Sequence, residues 1–164
     1  MTAFKDFIPL LMNGFVNVYE LLEADDMHAC AIDALLKQLS STPRCFTRAS
    51  LEEIVLSANS HLFVVEVDGV VAGMLTLSHY VAPTGRKMWI EDVVVDEAMR
   101  GRSLGRLLVE KAVAHAHTLG PGSLMLTSRP SREAANALYR SCGFTFKETN
   151  NYTMIIDAEK TGQD

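Results

Sequence analysis

The chain has 164 residues, of which 48% are apolar and 21% charged, and its formal net charge is −5. Such a composition is typical of a globular protein, and the length suits a single domain over residues 1–164. The acidic balance disfavours general nucleic-acid binding, which needs a basic surface, and no apolar run reaches the ~20 residues that span a bilayer. We therefore expect neither a nucleic acid nor a membrane as partner.

The cysteines and the N-terminus bear on the cellular compartment. Cys30, Cys45 and Cys142 form no CxxC pair, and an odd number at scattered spacing favours a reducing environment over a disulfide framework. The N-terminal segment lacks the basic start and long apolar block of a secretory signal. These features predict a soluble cytoplasmic protein, with residues 1–14 as an N-terminal extension of uncertain structure.

Hydrophobic periodicity divides the chain into strands and helices. The first half is predicted to contain a strand at Val16–Leu22, a helix over 24–39, a helix beginning near Thr47 or Ser50, and strands at His61–Val67, Val70–Leu77 and Met88–Val95. The second half is predicted to contain a helix at Ser103–Leu119, a strand at Leu124–Thr127, a helix at Glu133–Ser141, and strands at Phe144–Phe146 and Tyr152–Ile156. This order indicates a mixed α/β fold, with a central sheet of about seven strands and helices on both faces.

The segment between the Met88–Val95 strand and the long helix carries the clearest chemical pattern. It contains two glycines and three arginines immediately before and within the first turn of the helix: Arg100-Gly101-Arg102-Ser103-Leu104-Gly105-Arg106. Helix N-termini present unpaired N–H groups, glycines allow close backbone approach, and arginines bind phosphate. The pattern therefore predicts an anion site, although turn glycines beside solvated arginines would look the same.

Two segments in this order resemble the GNAT superfamily of acetyl-CoA-dependent N-acetyltransferases. Arg100-Gly101-Arg102-Ser103-Leu104-Gly105 is similar to its [Q/R]-x-x-G-x-[G/A] motif, with Ser103 in place of the middle glycine. The serine hydroxyl could cap the helix or donate to a phosphate. The segment from Asn136 to Phe144 is similar to the family's A-x-x-L-Y-x-x-x-G-F pattern. The resemblance covers roughly residues 15–157 and implies a GNAT-type fold.

The resemblance also implies which residues bind acetyl-CoA. The backbone of the fourth strand would pair with the pantetheine arm, the arginine- and glycine-rich turn would hold the diphosphate, and Asn136 would bond either part. The implied cofactor-binding residues are Val93, Val94, Val95, Arg100, Gly101, Arg102, Ser103, Leu104, Gly105, Arg106, Asn136 and Tyr139. No metal ion is implied.

The implied catalytic residues are Tyr139, Glu91 and Asp92. Tyr139 stands where the family has its general acid beside the coenzyme sulfur, while its alternative role is that of a core aromatic. Either Glu91 or Asp92, or water alone, could accept the proton of the amine. Because adjacent strand residues face opposite sides, only one of these acids is expected to face the substrate. Thr127 occupies the position where some relatives have a glutamate.

The predicted function is transfer of an acetyl group from acetyl-CoA to the primary amine of a small molecule, by direct attack within a ternary complex. Two alternatives stay open, which are acetylation of protein or peptide amino groups and a non-catalytic coenzyme A sensor. A homodimer is also left open. His115 and His117, two apart on one helix, point in different directions, which disfavours a metal site shared between them.

Overall fold

The computed structural model describes residues 14–40 and 45–156. The elements, in chain order, are β1 (Val16–Glu20), α1 (Asp26–Leu39), α2 (Arg48–Val55), β2 (Ser60–Val67), β3 (Val70–Ala82), β4 (Gly85–Val95), a short 3-10 turn (Glu97–Met99), α3 (Leu104–Thr118), β5 (Gly122–Leu126) and α4 (Glu133–Ser141). The predicted N-terminal extension falls almost wholly outside the described residues. None of the helices in the described ranges is long and apolar enough to cross a membrane.

The strands form one mixed sheet in the order β1-β2-β3-β4-β5. The first four run antiparallel to their neighbours, and β5 lies parallel to β4 after the crossover through α3. Asp68 and Gly69, which separate the predicted strands His61–Val67 and Val70–Leu77, join β2 to β3 in a hairpin with φ of 52° and 80°. Two positive φ values in succession are the geometry of a type I′ turn. The single mixed sheet and its flanking helices confirm the predicted mixed α/β fold class.

The prediction of seven strands is wrong for the described part of the chain, which has five. Neither Phe144–Phe146 nor Tyr152–Ile156 forms a strand. Both segments have the β-branched and aromatic residues of strands, but a strand also needs a neighbour to satisfy its backbone, and no described strand pairs with them. The large apolar side chains of this C-terminal segment are exposed, namely Phe146, Tyr152, Met154, Ile155 and Ile156.

The sheet is covered on both faces, as predicted. Side chains along β2 alternate between two cores, since Phe63 and Val65 pack with α3 whereas Leu62 and Val64 pack with α1 and α2. A central strand buried on both sides reads as a continuous apolar run, which is why His61–Val67 shows little polar alternation in the sequence. The two layers of helices therefore fix β4, the strand that leads into the turn predicted to bind an anion.

Candidate active site

The pairing of β4 with β5 ends part-way along β4. The two strands pair from Arg86 with Gly122 to Ile90 with Leu126, where β5 ends, and β4 continues to Val95. One backbone edge of the last part of β4 therefore lacks a strand partner among the described residues. An extended amide-containing ligand can use those unpaired N–H and C=O groups as a further strand would.

A β-bulge lies just beyond the last residue pair of β4 and β5. Thr76 pairs with Glu91 and Met74 with Val94, so β4 has one residue more than β3 over this interval. The extra residue is Asp92, whose φ is 53°. Aspartate is among the few residues other than glycine that enter the left-handed region at modest cost.

The bulge also reverses which residues face each side of the sheet. Ile90 packs in the core under α3, but Val94, four residues later, packs in the core under α1. In a regular strand these two side chains would share a face. Strict alternation is interrupted between Ile90 and Val94, so the expectation that Glu91 and Asp92 face opposite sides of the sheet no longer follows from their adjacency. No feature of the sequence other than a polar pair in an apolar strand indicates this bulge.

The two acids are coupled electrostatically. Burial raises the pKa of Glu91 above its ordinary range, and the neighbouring charge of Asp92 raises it further. Burial raises the pKa of Asp92 as well. Both side chains nevertheless remain accessible to solvent. A carboxylate with a raised pKa is a stronger base than usual, so the position suits proton abstraction from an ammonium group.

The turn after β4 is held in place by hydrogen bonds to helix α1. The Asp96 carboxylate accepts hydrogen bonds from the Ala98 backbone N–H at 2.8 Å and from the Gln38 side-chain amide of α1 at 3.1 Å. The Gln38 carbonyl in turn accepts from the Glu97 N–H at 3.0 Å. Helix α1 therefore fixes the chain at the point where it leaves the sheet.

The start of α3 is an array of N–H groups that have no partner among residues 14–40 and 45–156. The amides of Leu104, Gly105 and Arg106 precede the first intrahelical bond, which runs from the Leu107 N–H to the Ser103 carbonyl. The positive end of the helix dipole adds to their attraction for an anion. The Leu104 side chain is fully buried, so only its backbone can contact a ligand. Gly101 has φ of 77°, which explains the glycine by conformation.

Ser103 has an unexpected conformation. Its φ and ψ are 60° and 13°, in the left-handed region, and its side chain makes no capping hydrogen bond. The expectation that its hydroxyl caps the helix is therefore wrong. The backbone at this position favours glycine, which is the residue that the GNAT motif has there, and the serine adopts it with some strain.

The three arginines make different contacts. The Arg100 Nε donates to the Val95 carbonyl at 3.2 Å, and Arg102 contacts the Met99 sulfur at 3.1 Å. Arg106 donates to the Ser141 hydroxyl at 2.8 Å, which links α3 to α4. Arg102 has the weakest protein contact of the three and is therefore best placed to exchange it for a phosphate.

Helix α4 contributes the predicted tyrosine and asparagine. Tyr139 is 7% exposed and packs edge-to-face with Phe144 at 6.3 Å between ring centroids. Burial raises its pKa, and the nearby charge of Arg132 offsets part of this rise. Its hydroxyl makes no hydrogen bond to the described part of the protein. The side-chain amide nitrogen of Asn136 donates to the Arg129 carbonyl at 2.9 Å, which leaves the Asn136 oxygen as an acceptor.

One further polar group lies just beyond the end of β5, and the sequence analysis did not single it out. The Ser128 hydroxyl is buried and has no hydrogen-bond partner among the described residues. A buried unpaired hydroxyl is unfavourable, so it is a candidate contact for a ligand. A lone serine in a loop gives no pattern that would have singled it out. Thr127, beside it, is exposed.

The comparisons with known proteins identify the family of the chain. The model of the Acetyltransferase (GNAT) family matches residues 18–144, which is most of the chain. The chain belongs to the GNAT acetyltransferase family. As a GNAT enzyme it is an acyltransferase of the N-acetyltransferase class, and members of the family use acetyl-CoA as the acetyl donor.

Relatives and solved structures add detail. Glucosamine 6-phosphate N-acetyltransferase 1 of Oryza sativa subsp. japonica is 33% identical over 122 residues, covering 69% of this chain and 72% of the rice protein. The crystal structure of glucosamine-6-phosphate N-acetyltransferase from Arabidopsis thaliana superposes with a TM-score of 0.71 at 24% identity, covering 86% of this chain and 99% of that one. An aminoglycoside N-acetyltransferase in complex with CoA gives a TM-score of 0.74 at 18% identity, covering 90% and 99%. The structural likeness establishes the GNAT fold, while the acceptor differs among these proteins.

Proposed function

We propose that this GNAT enzyme transfers the acetyl group of acetyl-CoA to the primary amine of a small molecule, by direct attack in a ternary complex. The observation that carries the proposal is the open edge of β4 beyond Ile90, which leads directly to the N–H groups at the start of α3. An extended ligand that ends in a diphosphate fits this sequence of groups. The amides of Val93 to Val95 would bind the pantetheine arm, and those of Leu104 to Arg106 the diphosphate.

Each proton transfer has a candidate residue. The amine gives a proton to Glu91 or Asp92, directly or through water, and its nitrogen bonds to the thioester carbonyl carbon. The carbon–sulfur bond breaks, and the sulfur takes the proton of the Tyr139 hydroxyl. A backbone N–H of Val93, Val94 or Val95 would polarise the carbonyl oxygen. The support is the raised pKa of both acids and of Tyr139, whose hydroxyl has no hydrogen-bond partner among the described residues.

Amino sugars are the first acceptors to test. The rice relative is named for glucosamine 6-phosphate, and the Ile90-Glu91-Asp92-Val93-Val94-Val95 segment resembles that of such enzymes. The negative charges of the two acids at the bulge would also attract an ammonium group. Purified protein with acetyl-CoA should release free thiol with at least one member of a panel of amino sugars, aminoglycosides and lysine peptides. A signal with the peptides alone would support the protein acetyltransferase, and no signal with any amine would support the sensor.

Coenzyme binding can be tested without knowing the acceptor. A ligand at 100 times its Kd stabilises the folded state by about 2.7 kcal/mol, so acetyl-CoA should raise the Tm. Arg102→Ala should raise the Kd about tenfold, the usual contribution of a charge-assisted hydrogen bond. Arg48→Ala is the matched control, since Arg48 is an exposed arginine on α2 whose ion-pair contact with Asp26 is 3.9 Å. If millimolar acetyl-CoA leaves the Tm unchanged, the proposal fails.

We also propose that the enzyme is a homodimer, because its C-terminal segment exposes several large apolar side chains. Strand β5 is an edge strand of the sheet, so its outer edge has no strand partner among the described residues. Phe146, Met154 and Ile156 are each more than four-fifths exposed. Burial of these side chains against a second copy would remove them from water. Light scattering should give twice the monomer mass, and Met154→Asp with Ile156→Asp should return it to the monomer mass.

A further inference from the structure

A second cluster of polar side chains lies outside the proposed active site. It joins Glu20 at the end of β1, His61 on β2 and His115 on α3, three elements distant in sequence. The His61 Nδ1 lies 2.7 Å from one Glu20 oxygen, and the His115 Nδ1 lies 3.8 Å from the other. The rings of His61 and His115 are 4.2 Å apart between centroids. Each side chain offers one ligand atom, and these atoms lie within 4.8 Å of one another.

The cluster lies at the opposite end of the sheet from the anion-binding turn. His115 follows Gly105 by ten residues on α3, which corresponds to about 15 Å along the helix axis. His79, whose ring stacks on that of His61 at 5.4 Å, pairs with Met88 near the start of β4. The proposed acetyl-CoA site uses the other end of β4. A role in the transfer reaction therefore does not explain the cluster.

The hydrogen bonding of the cluster is incomplete. The Nε2 atoms of His61 and His115 are both buried and have no partner in the described part of the protein. Glu20 lies against the Nδ1 of each ring, at hydrogen-bond distance for His61 and at 3.8 Å for His115. The described side chains of the cluster therefore do not fully satisfy one another's hydrogen-bonding groups.

The ligand types favour a transition metal over Mg²⁺ or Ca²⁺. Each imidazole offers a nitrogen lone pair, and the Glu20 carboxylate offers an oxygen. Two imidazoles and a carboxylate are a usual ligand set for Zn²⁺, whereas Mg²⁺ and Ca²⁺ prefer oxygen ligands.

We propose that Glu20, His61 and His115 form a structural binding site for a zinc-class divalent cation, which ties β1, β2 and α3 together. Tetrahedral zinc holds its ligand atoms ~3.3 Å apart, and the present separations lie on both sides of this value, so small side-chain rotations suffice. The fourth position is open to water. This cation takes no part in the acetyl transfer, so the site is independent of the proposed function.

The test uses untagged full-length protein whose thiols have been alkylated, so that Cys30 and Cys45 cannot bind the metal. After treatment with a chelator, calorimetry with zinc chloride should show one equivalent bound, and the Tm should rise by several degrees. Co²⁺ should give the visible absorption of a four-coordinate site. Magnesium chloride should change neither the heat nor the Tm.

The variants test whether the binding occurs at this cluster. His115→Ala and His61→Asn should weaken Zn²⁺ binding at least tenfold, whereas His117→Ala, an exposed histidine on the same helix, should leave it unchanged. Acetyl-CoA should still raise the Tm of every variant that folds, which separates this proposal from the active site. Absence of stoichiometric zinc binding would overturn the proposal, and so would equal affinities in His115→Ala and His117→Ala.

Discussion

Gly105 on α3 lies directly against Leu138 on α4. A Cβ atom placed on Gly105 would be 3.2 Å from the Leu138 Cδ2 and 3.7 Å from the Val95 Cγ2. The glycine therefore lets the first turn of α3 pack closely on α4 and on the end of β4. These three elements carry the candidate coenzyme and catalytic residues, so one contact between helices sets the width of the proposed site.

Enlarging Gly105 should reduce stability through Leu138. Gly105→Val should lower the free energy of unfolding by about 1–3 kcal/mol, the usual cost of overpacking. In a Leu138→Ala background the same substitution should cost less, because the clashing methyl group is gone. Urea denaturation of the four proteins in a double-mutant cycle measures this coupling. If the free-energy changes of the two substitutions are additive, Leu138 does not limit the size of the side chain at position 105.

Replacing Ser103 with glycine should stabilise the protein. The left-handed conformation costs a residue with a Cβ about 1 kcal/mol relative to glycine, and the Ser103 hydroxyl makes no capping bond that would be lost. Ser103→Gly should therefore raise the free energy of unfolding by about 1 kcal/mol in the absence of ligand. Ser103→Ala, which keeps the Cβ, should give no such gain. An equal gain in both variants would contradict the strain argument.

Tyr139→Phe should remove activity and leave the fold intact. Because the hydroxyl makes no hydrogen bond to the described residues, stability should change little, while kcat should fall about 10²–10⁴-fold if the hydroxyl is the general acid. The raised pKa of Tyr139 keeps it protonated through neutral pH, so loss of the Tyr139 proton should reduce activity only at high pH. The variant should lack that limb of the profile. Tyr80→Phe, at a half-exposed tyrosine, is the control.

The acids at the bulge should give the activity an acid limb. Because the pKa values of Glu91 and Asp92 are raised, kcat/KM should fall as the pH drops through a range above that of ordinary carboxyl groups. Glu91→Gln and Asp92→Asn should be compared over the full profile. The variant in which the base is replaced should have a much lower kcat/KM and no acid limb. The other variant should keep both the activity and an acid limb.

The same acids should reduce stability at neutral pH. A folded-state pKa above the unfolded value means that folding disfavours the charged form, so the penalty is absent at low pH and appears as the pH rises through the unfolded pKa. Glu91→Gln should thus be more stable than the wild type at neutral pH, and the difference should vanish in acid. Denaturation at several pH values measures the difference directly. A wild type more stable than this variant at pH 7 would contradict the argument.

Much of the fold follows from local patterns in the sequence. The helix at Leu104–Thr118 and the hairpin at Asp68-Gly69 are where periodicity and turn residues predict them. The glycine- and arginine-rich turn is also local, since consecutive residues place backbone N–H groups at one helix terminus. The strands predicted after Phe144 are wrong, because a strand depends on a partner and no local pattern supplies one.

Only the tertiary structure decided the features that depend on contacts between distant residues. The bulge at Asp92 arises from the register of β4 against β3. Alternation of residues within β4 alone therefore does not show which faces of the sheet Glu91 and Asp92 occupy. The histidines show the same limit. His115 and His117 do point apart, as their spacing requires, but His115 meets His61 and Glu20, which precede it by more than fifty residues. Periodicity determines which side of an element a residue occupies, whereas the packing of the sheet and helices determines what that side faces.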